Sequence, residues 1–284
     1  MRQIKSFAND SAIQEAVNNK FLGKPYVALD DATGKIDWNG KNIDYSTMYL
    51  TIEALESGKI TPDKRGVEYS VNSGEWIVIT GNDDITLSQG DKVKFRGTSG
   101  GDGLFYGRNT LMFKVYGNIE SLEYGDDFVG QTSTRVMFNG CFYGCTGLVD
   151  AENLVLPATT LTEYCYKDMF EDCTSLTTAP ELPATTLTYS CYASMFQNCT
   201  SLTQAPELPA AILVDQCYEQ MFDSCVNLNY IKCLATGITG RVGRDTTSNW
   251  VYGVSPTGTF VKKAGVNWQT GVNGIPDGWD VIEE

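Results

Sequence analysis

The residues most able to do chemistry in this chain of 284 residues are its nine cysteines. Six of them form three pairs with a spacing of eight residues: Cys165/Cys173, Cys191/Cys199 and Cys217/Cys225. No Cys-x-x-Cys pair is present for a zinc site, so disulfide bonds and buried free thiols are the main alternatives. Because cysteine is among the most often buried residue types, its regular recurrence favours free thiols in a core. Reduced thiols also fit synthesis and assembly in a cytoplasm.

Two further patterns could hold a phosphate or a calcium ion. The glycine-rich run 101–107 has the composition of a phosphate loop, but it lacks the GK[ST] ending and the helix that should follow. Asp83, Asp84 and Asp91 could bind calcium, but they lack the spacing of an EF-hand and its final bidentate glutamate. We therefore expect a flexible loop at the first position and solvated turns at the second.

Paired carboxylates are the remaining candidates for catalysis. Glu163, Glu171 and Asp172 could serve as acid and base, but without a pocket there is no reason to expect a raised pKa, so we expect a solvated outer face. The chain contains no histidine. That absence removes Ser-His-Asp and Cys-His catalysis and histidine metal ligands together. The sequence therefore predicts a protein that is not an enzyme and that uses no metal or cofactor.

Three tyrosines recur with a period of 26 residues, namely Tyr166, Tyr192 and Tyr218. They could form an exposed aromatic stripe that faces a ligand, suited to stacking on sugars or to contact with a protein. The alternative, which we favour, is that they pack between neighbouring repeats.

The formal net charge of −14 argues against partners whose binding requires clusters of lysine and arginine on this protein. Residues 137–235 contain two lysines against eleven acidic residues, which places −9 of the −14 in this stretch. Such a surface repels phosphate, so we expect no binding to nucleic acid and no binding to an anionic membrane. No apolar run approaches the roughly 20 residues that span a bilayer.

Internal repeats decide the expected architecture. Three segments of 26 residues, 161–186, 187–212 and 213–238, align without gaps, and a degenerate copy precedes them. A fixed period with recurring Leu, Phe and Cys predicts a solenoid, because one repeat cannot bury its own apolar face and must stack on its neighbours. We expect a short helix over each CYxxMF motif, a turn at CTS, and a short irregular strand around LTxAPELP.

The motif LPATTLTEYCYKDMFEDCTSLTTA resembles the BspA-like branch of leucine-rich repeats, whose pattern is LP…L…(A/M)F..C..L. Copies of this form are similar to those found in gut Bacteroides and in the phages that infect them. The resemblance covers about 135–284 and implies a leucine-rich-repeat solenoid over 135–238 with a C-terminal cap over 239–284. Four aromatic residues could cover the open apolar edge of the last repeat: Trp250, Phe260, Trp268 and Trp279.

Residues 46–134 carry strand signals. VEYSVNSGEWIVIT and ITLSQGDKVKFRG alternate apolar and polar residues around turns at NSG and QGD, and LMFKVYGNIESLEYG suggests another pair of strands. Many short strands with few helix signals predict a small β-sandwich-like module.

Residues 1–45 differ from the rest and are too few to bury a good core alone. Ser11 and Gln14 form a capping box for a helix, and Tyr26–Leu29 and Lys35–Trp38 suggest a hairpin. The stretch KPYVALDDATGKIDWN resembles the N-terminal attachment segment of fibre or decoration proteins of Bacteroides phages. Six residues are predicted to make the attachment contact: Phe7, Ile13, Val17, Phe21, Tyr26 and Trp38.

The sequence thus predicts an α+β chain with an attachment segment, a β-sandwich-like module, a short leucine-rich-repeat solenoid and a cap. The resemblances imply a virion structural protein, such as a head fibre, tail fibre or capsid decoration, that is made in the cytoplasm of the host cell. Its N-terminus would bind other virion proteins and its repeats a host surface protein or glycan, as a homodimer or trimer. The alternative is a bacterial cell-surface adhesin of the BspA type, which should carry an export signal, and the first residues show no apolar h-region.

Overall fold

The computed structural model describes residues 43–81, 83–107, 109–132, 138–238 and 246–284. The chain divides into two compact units, Met1–Asp44 and Tyr45–Glu284. The helix and hairpin expected in 1–45 lie outside the described residues. So do the six predicted attachment residues: Phe7, Ile13, Val17, Phe21, Tyr26 and Trp38.

The first part of the second unit is a mixed sheet. Its elements are β1 (Leu50–Ala54), β2 (Gly58–Ile60), β3 (Val67–Val71), β4 (Ile77–Val78), β5 (Ile85–Leu87), β6 (Lys92–Gly97), β7 (Phe113–Asn118), α1 (Ser121–Tyr124) and β8 (Leu148–Val155). Six strands form one sheet in the order β4-β3-β6-β1-β7-β8, while β2 and β5 form a separate pair. All neighbours in the large sheet are antiparallel except β7 and β8, which run parallel.

The predicted β3–β4 hairpin is present, and its turn residues Asn72 and Ser73 both have positive φ. The structure differs from the predicted sandwich, because among the described residues the six-stranded sheet is accompanied only by sheets of two or three strands. Its apolar face meets the glycine-rich run instead, where the ring centroids of Phe95 and Phe105 lie 5.2 Å apart.

The second strand expected in LMFKVYGNIESLEYG is wrong, since this segment forms the short helix α1. Ser121 explains the reversal of the chain. Its hydroxyl donates to the carbonyl of Phe95 and accepts from the amide of Leu50, at 3.0 Å in both cases, so the segment folds back across the sheet.

The repeats contain no helices in their described residues, and the helices predicted over CYxxMF are wrong. Each motif is a run of tight turns in which an amide bonds to the carbonyl three residues earlier, as Cys173 does to Phe170 at 3.1 Å. Every fourth residue has positive φ, which is incompatible with an α-helix. These residues are Tyr164, Asp168 and Asp172 in one repeat, Ser190, Ser194 and Asn198 in the next, and Gln216, Gln220 and Ser224 in the third.

We call each run of turns a level. Six levels occur in the described residues: 103–107, 138–144, 164–173, 190–199, 216–225 and 246–253. Alternate amides of one level donate to carbonyls of the next, as Tyr166 does to Cys191 and Phe170 to Met195, both at 2.9 Å. In each of these bonds the donor amide lies in the earlier level and the acceptor carbonyl in the later one. The peptide groups that make them are therefore aligned along the stack.

The predicted strands around LTxAPELP are reduced to isolated parallel bridges, including Thr160 to Thr186 and Leu208 to Cys233. Proline lacks the amide donor that a ladder requires, which explains the interruption. Short strands follow: β9 (Ile212–Leu213), β10 (Tyr230–Cys233), β11 (Gly237–Ile238), β12 (Thr259–Lys262) and β13 (Asp280–Glu283). β9 pairs with β11, and β10, β12 and β13 form a parallel sheet.

A single hydrophobic core runs from Leu50 in the large sheet to Trp279 near the C-terminus. The predicted boundary at 134/135 does not interrupt it, because β8 belongs to the large sheet and 103–107 is the first level. No helix within the described ranges is long and apolar enough to cross a membrane.

Candidate functional site

Two columns of stacked aromatic rings fill the levels. The first consists of Phe105, Phe142, Phe170, Phe196 and Phe222, with successive centroids 5.4–5.8 Å apart. The second consists of Phe138, Tyr166, Tyr192 and Tyr218, with centroids 5.8–6.2 Å apart. Both columns end on Trp250, whose indole Nε1 donates to the carbonyl of Gly274 at 2.8 Å.

Tyr166, Tyr192 and Tyr218 pack between neighbouring repeats, which is the alternative that we favour from the sequence, and they do not form the exposed stripe that could face a ligand. Their side chains are at most 1% exposed, and each ring packs against its counterparts in the neighbouring levels. A ligand would have to enter the core to reach them. They contribute to the packing between levels.

All nine cysteines are free and buried. In the second member of each pair the thiol donates to the carbonyl of the phenylalanine one level earlier: Cys173 to Phe142 at 3.1 Å, Cys199 to Phe170 at 3.1 Å, and Cys225 to Phe196 at 3.0 Å. Sequence reasoning predicted the burial but missed this bond, because its partner lies about 30 residues away. The thiols therefore connect consecutive levels as well as filling the core.

Burial also removes the chemistry of these thiols. It raises the pKa of Cys145, Cys191 and Cys233 to about 12 and that of Cys199 well above the usual range. The thiolate is the form that attacks electrophiles and binds metals. The eight cysteines whose pKa burial raises, all except Cys165, are therefore poorly suited to be nucleophiles near neutral pH.

The aspartates considered for calcium have separate structural roles. Asp83 accepts bonds from the Thr80 backbone, Asp84 pairs with Lys59 at 3.0 Å, and Asp91 accepts a bond from Asn72. The pKa of each is lowered, mainly by these hydrogen bonds. Within the described part of the chain, no group of three or more His, Cys, Asp or Glu residues is arranged to hold a metal ion.

The glycine-rich run is a structural level, and its prediction as a flexible loop is wrong. The amides of Gly103, Phe105 and Gly107 donate to carbonyls of the second level at 2.7–3.0 Å. The sequence contained a signal for this arrangement, because GLFYG at 103–107 matches GCFYG at 140–144.

The outer surface of the levels carries exposed aromatic and acidic side chains. Tyr106 is 56% exposed and stacks on Tyr143 with centroids 4.5 Å apart. At the equivalent position of the next level is Glu171, whose pKa is raised to about 7 by partial burial and then by Asp168 and Asp172. The expectation of ordinary carboxylates was therefore wrong for Glu171. The surface can stack on flat groups and exchange hydrogen bonds.

An open groove of about 420 Å³ lies on a different part of the repeats. Its walls are the two PELP segments, Pro180–Pro183 and Pro206–Pro209. This volume is within the range of about 300–1,000 Å³ that small-molecule sites occupy. The two copies of the motif are evident in the sequence, but their separation in space is not.

The residues expected to cover the last repeat are in the core or against it. Trp250, Phe260 and Trp279 are buried, and the partly buried Trp268 stacks on Trp250 with centroids 5.7 Å apart. They close the apolar end of both ring columns.

Comparison of the chain with protein-family models, with curated proteins and with solved structures finds no match.

Proposed function

We propose that the chain is a non-enzymatic virion structural protein, a fibre or capsid decoration, whose second half is a leucine-rich-repeat solenoid that binds a host-surface component. One observation carries this proposal: the aromatic and thiol side chains that recur in the repeats point inward and stack over consecutive levels. Such a core makes a rigid support, and solenoids typically offer extended surfaces to their partners.

The outer surface supports adhesion rather than catalysis. The carboxylates of Asp168, Glu171 and Asp172 lie beside the Tyr106/Tyr143 pair on an open surface. Aromatic faces and hydrogen-bonding groups are what glycans and polar protein surfaces require of a binding site. Glu171 has a raised pKa and lies beside Asp168 and Asp172, but a raised pKa with neighbouring carboxylates does not by itself make a catalytic site.

The virion location is proposed from the resemblance of KPYVALDDATGKIDWN to an attachment segment. The test compares the full chain with residues 45–284, which form a compact unit with their own core. Both proteins are mixed with purified phage particles and with envelope fractions of the source bacterium, and sedimentation measures the bound fraction.

We expect the full chain to sediment with the particles and 45–284 to remain in solution with an unchanged circular dichroism spectrum. Full binding by 45–284 would show that the anchor lies elsewhere. Binding of both proteins to the envelope alone would support the cell-surface adhesin instead.

A further inference from the structure

The PELP groove exists because two consecutive repeats separate at this point. In the following pair of repeats, Ala205 donates to Tyr230 at 2.9 Å and Leu208 to Lys232 at 3.0 Å. No corresponding backbone bond joins 179–184 to 205–210 in the part of the chain that the structure describes. The wall Pro180–Pro183 therefore presents proline rings and backbone without a partner strand, whereas Leu208 in the other wall is bonded to the following repeat.

Apolar side chains line much of the groove, although the charged residues of the surrounding repeats are mainly acidic. Pro180 and Leu182 are buried at its base, while Pro183, Pro206 and Pro209 line its sides with ring methylene groups. Proline has no amide hydrogen, so the walls offer few donors to an anionic or carbonyl-rich ligand. An occupant needs an aliphatic or flat stem that can pack against these rings.

The two glutamates of the groove differ in their partners. Glu207 is neutralised by Lys232 at 3.1 Å, and Lys232 also contacts Glu284 at 3.1 Å. Glu181 holds the same position one repeat earlier and is exposed, and among the described residues it forms no ion pair or hydrogen bond. The groove thus contains one carboxylate that is free to accept a positive charge.

We propose that the PELP groove binds an arginine side chain presented by a partner protein. The stem of arginine packs on apolar surfaces while its charged head remains at the rim, and the flat guanidinium can make two hydrogen bonds to one carboxylate. Residues 137–235 contain eleven acidic residues against two lysines, and this negative charge attracts such a partner. The inference rests on the proposed binding role of the repeats and is independent of the virion location.

The first experiment titrates the full chain with N-acetyl-arginine amide and follows backbone amide resonances by NMR. We expect saturable shifts at Glu181, Leu182 and Ala184. The isosteric neutral probe N-acetyl-citrulline amide should bind about tenfold more weakly, a loss of about 1.4 kcal/mol. Equal binding of the two probes, or no shift at these residues, would overturn the proposal.

Three variants then test which carboxylate binds the arginine probe. Glu181→Gln should weaken binding of the arginine probe about tenfold, while Lys232→Gln should strengthen it several-fold by releasing Glu207. Glu75→Gln removes an equal charge from the exposed β3–β4 turn and should leave binding unchanged. If Glu75→Gln weakens binding as much as Glu181→Gln does, the attraction is general to the acidic surface and the groove is not the site.

A last arm separates protein from glycan partners. Neutral oligosaccharides of glucose and N-acetylglucosamine are titrated under the same conditions, and we expect no shift at the groove residues. Saturable sugar binding at Glu181 and Leu182 in place of arginine binding would contradict the proposal. It would leave adhesion by the repeats intact, so the two hypotheses fail separately.

Discussion

Glu120 has its carboxyl group in a buried position, where an ionised side chain is energetically unfavourable. It immediately precedes helix α1 and is completely buried, and neither oxygen has a hydrogen-bond partner among the described residues. Burial, and then the neighbouring Glu123, raise its pKa to about 8. The folded protein therefore keeps this proton at pH values where the unfolded chain, with a pKa near 4.5, has released it. The contribution of Glu120 to the free energy of unfolding is fully present below about pH 4.5 and is lost as the pH rises toward 8.

We predict that Glu120→Gln reduces the loss of stability with rising pH. Because one pKa unit corresponds to about 1.4 kcal/mol, the free energy of unfolding of the natural chain should fall by a few kcal/mol more than that of the variant between pH 5 and 8.5. Glu171, with its pKa of about 7, contributes a change of the same sign to both proteins. Urea unfolding at several pH values measures the difference.

Glu163→Gln is the control, because Glu163 is exposed. It should leave the pH dependence of the natural chain unchanged. Identical slopes for the natural chain and Glu120→Gln would contradict the assignment of a buried proton to Glu120.

At the scale of elements, the levels depend on a positive φ at every fourth residue. Gly144 has φ +69°, and a Cβ atom there would lie 2.9 Å from the Cα of Gly107 in the adjacent level. Gln220, four residues before the counterpart of Gly144 in its own level, has φ +53° and already carries a side chain. The first position therefore requires glycine for its close approach, whereas the second accepts other residues.

We predict that Gly144→Ala lowers the free energy of unfolding by about 2 kcal/mol or more, because it adds left-handed strain to a steric clash. Gln220→Gly should change it by less than about 1 kcal/mol, since glycine adopts this conformation freely. Chemical denaturation monitored by circular dichroism compares the two. A loss for Gly144→Ala as small as that for Gln220→Gly would show that adjacent levels are not in close contact here.

Part of this architecture could be predicted from sequence. The 26-residue period placed Phe170 and Phe196 in one column and Cys173 and Cys199 in another, and alternation predicted β3. The turns could not be predicted locally, because alternate amides bond to residues a whole repeat away and the residues at positive φ are ordinary polar types such as Gln220. The PELP groove also arises only where two repeats lie next to each other. The first level was predictable, since GLFYG and GCFYG match.

At the scale of the whole molecule, the large sheet, the levels and the C-terminal residues share one core. Trp250 is completely buried at the end of both ring columns and also contacts Phe260 and Trp268. Its removal should therefore weaken the entire second unit rather than one repeat.

We predict that Trp250→Ala lowers the free energy of unfolding by about 3–5 kcal/mol, the usual cost of deleting a large core side chain. Circular dichroism and tyrosine fluorescence should report one coincident transition. Tyr252→Ala, which removes an exposed ring two residues away, should have little effect. Separate transitions for the sheet and the repeats would contradict a shared core.

The recurring side chains of the second half form a dry interior in which the cysteine thiols are shielded from solvent. Thiol labelling with intact-mass detection, under non-reducing conditions, tests it most directly. In the native protein none of the nine cysteines should react within the time that labels a free peptide thiol, and in denaturant all nine should react. Fewer than nine labels in denaturant would reveal disulfide bonds, and rapid labelling of the native protein would show that the thiols face solvent; either result would contradict the account.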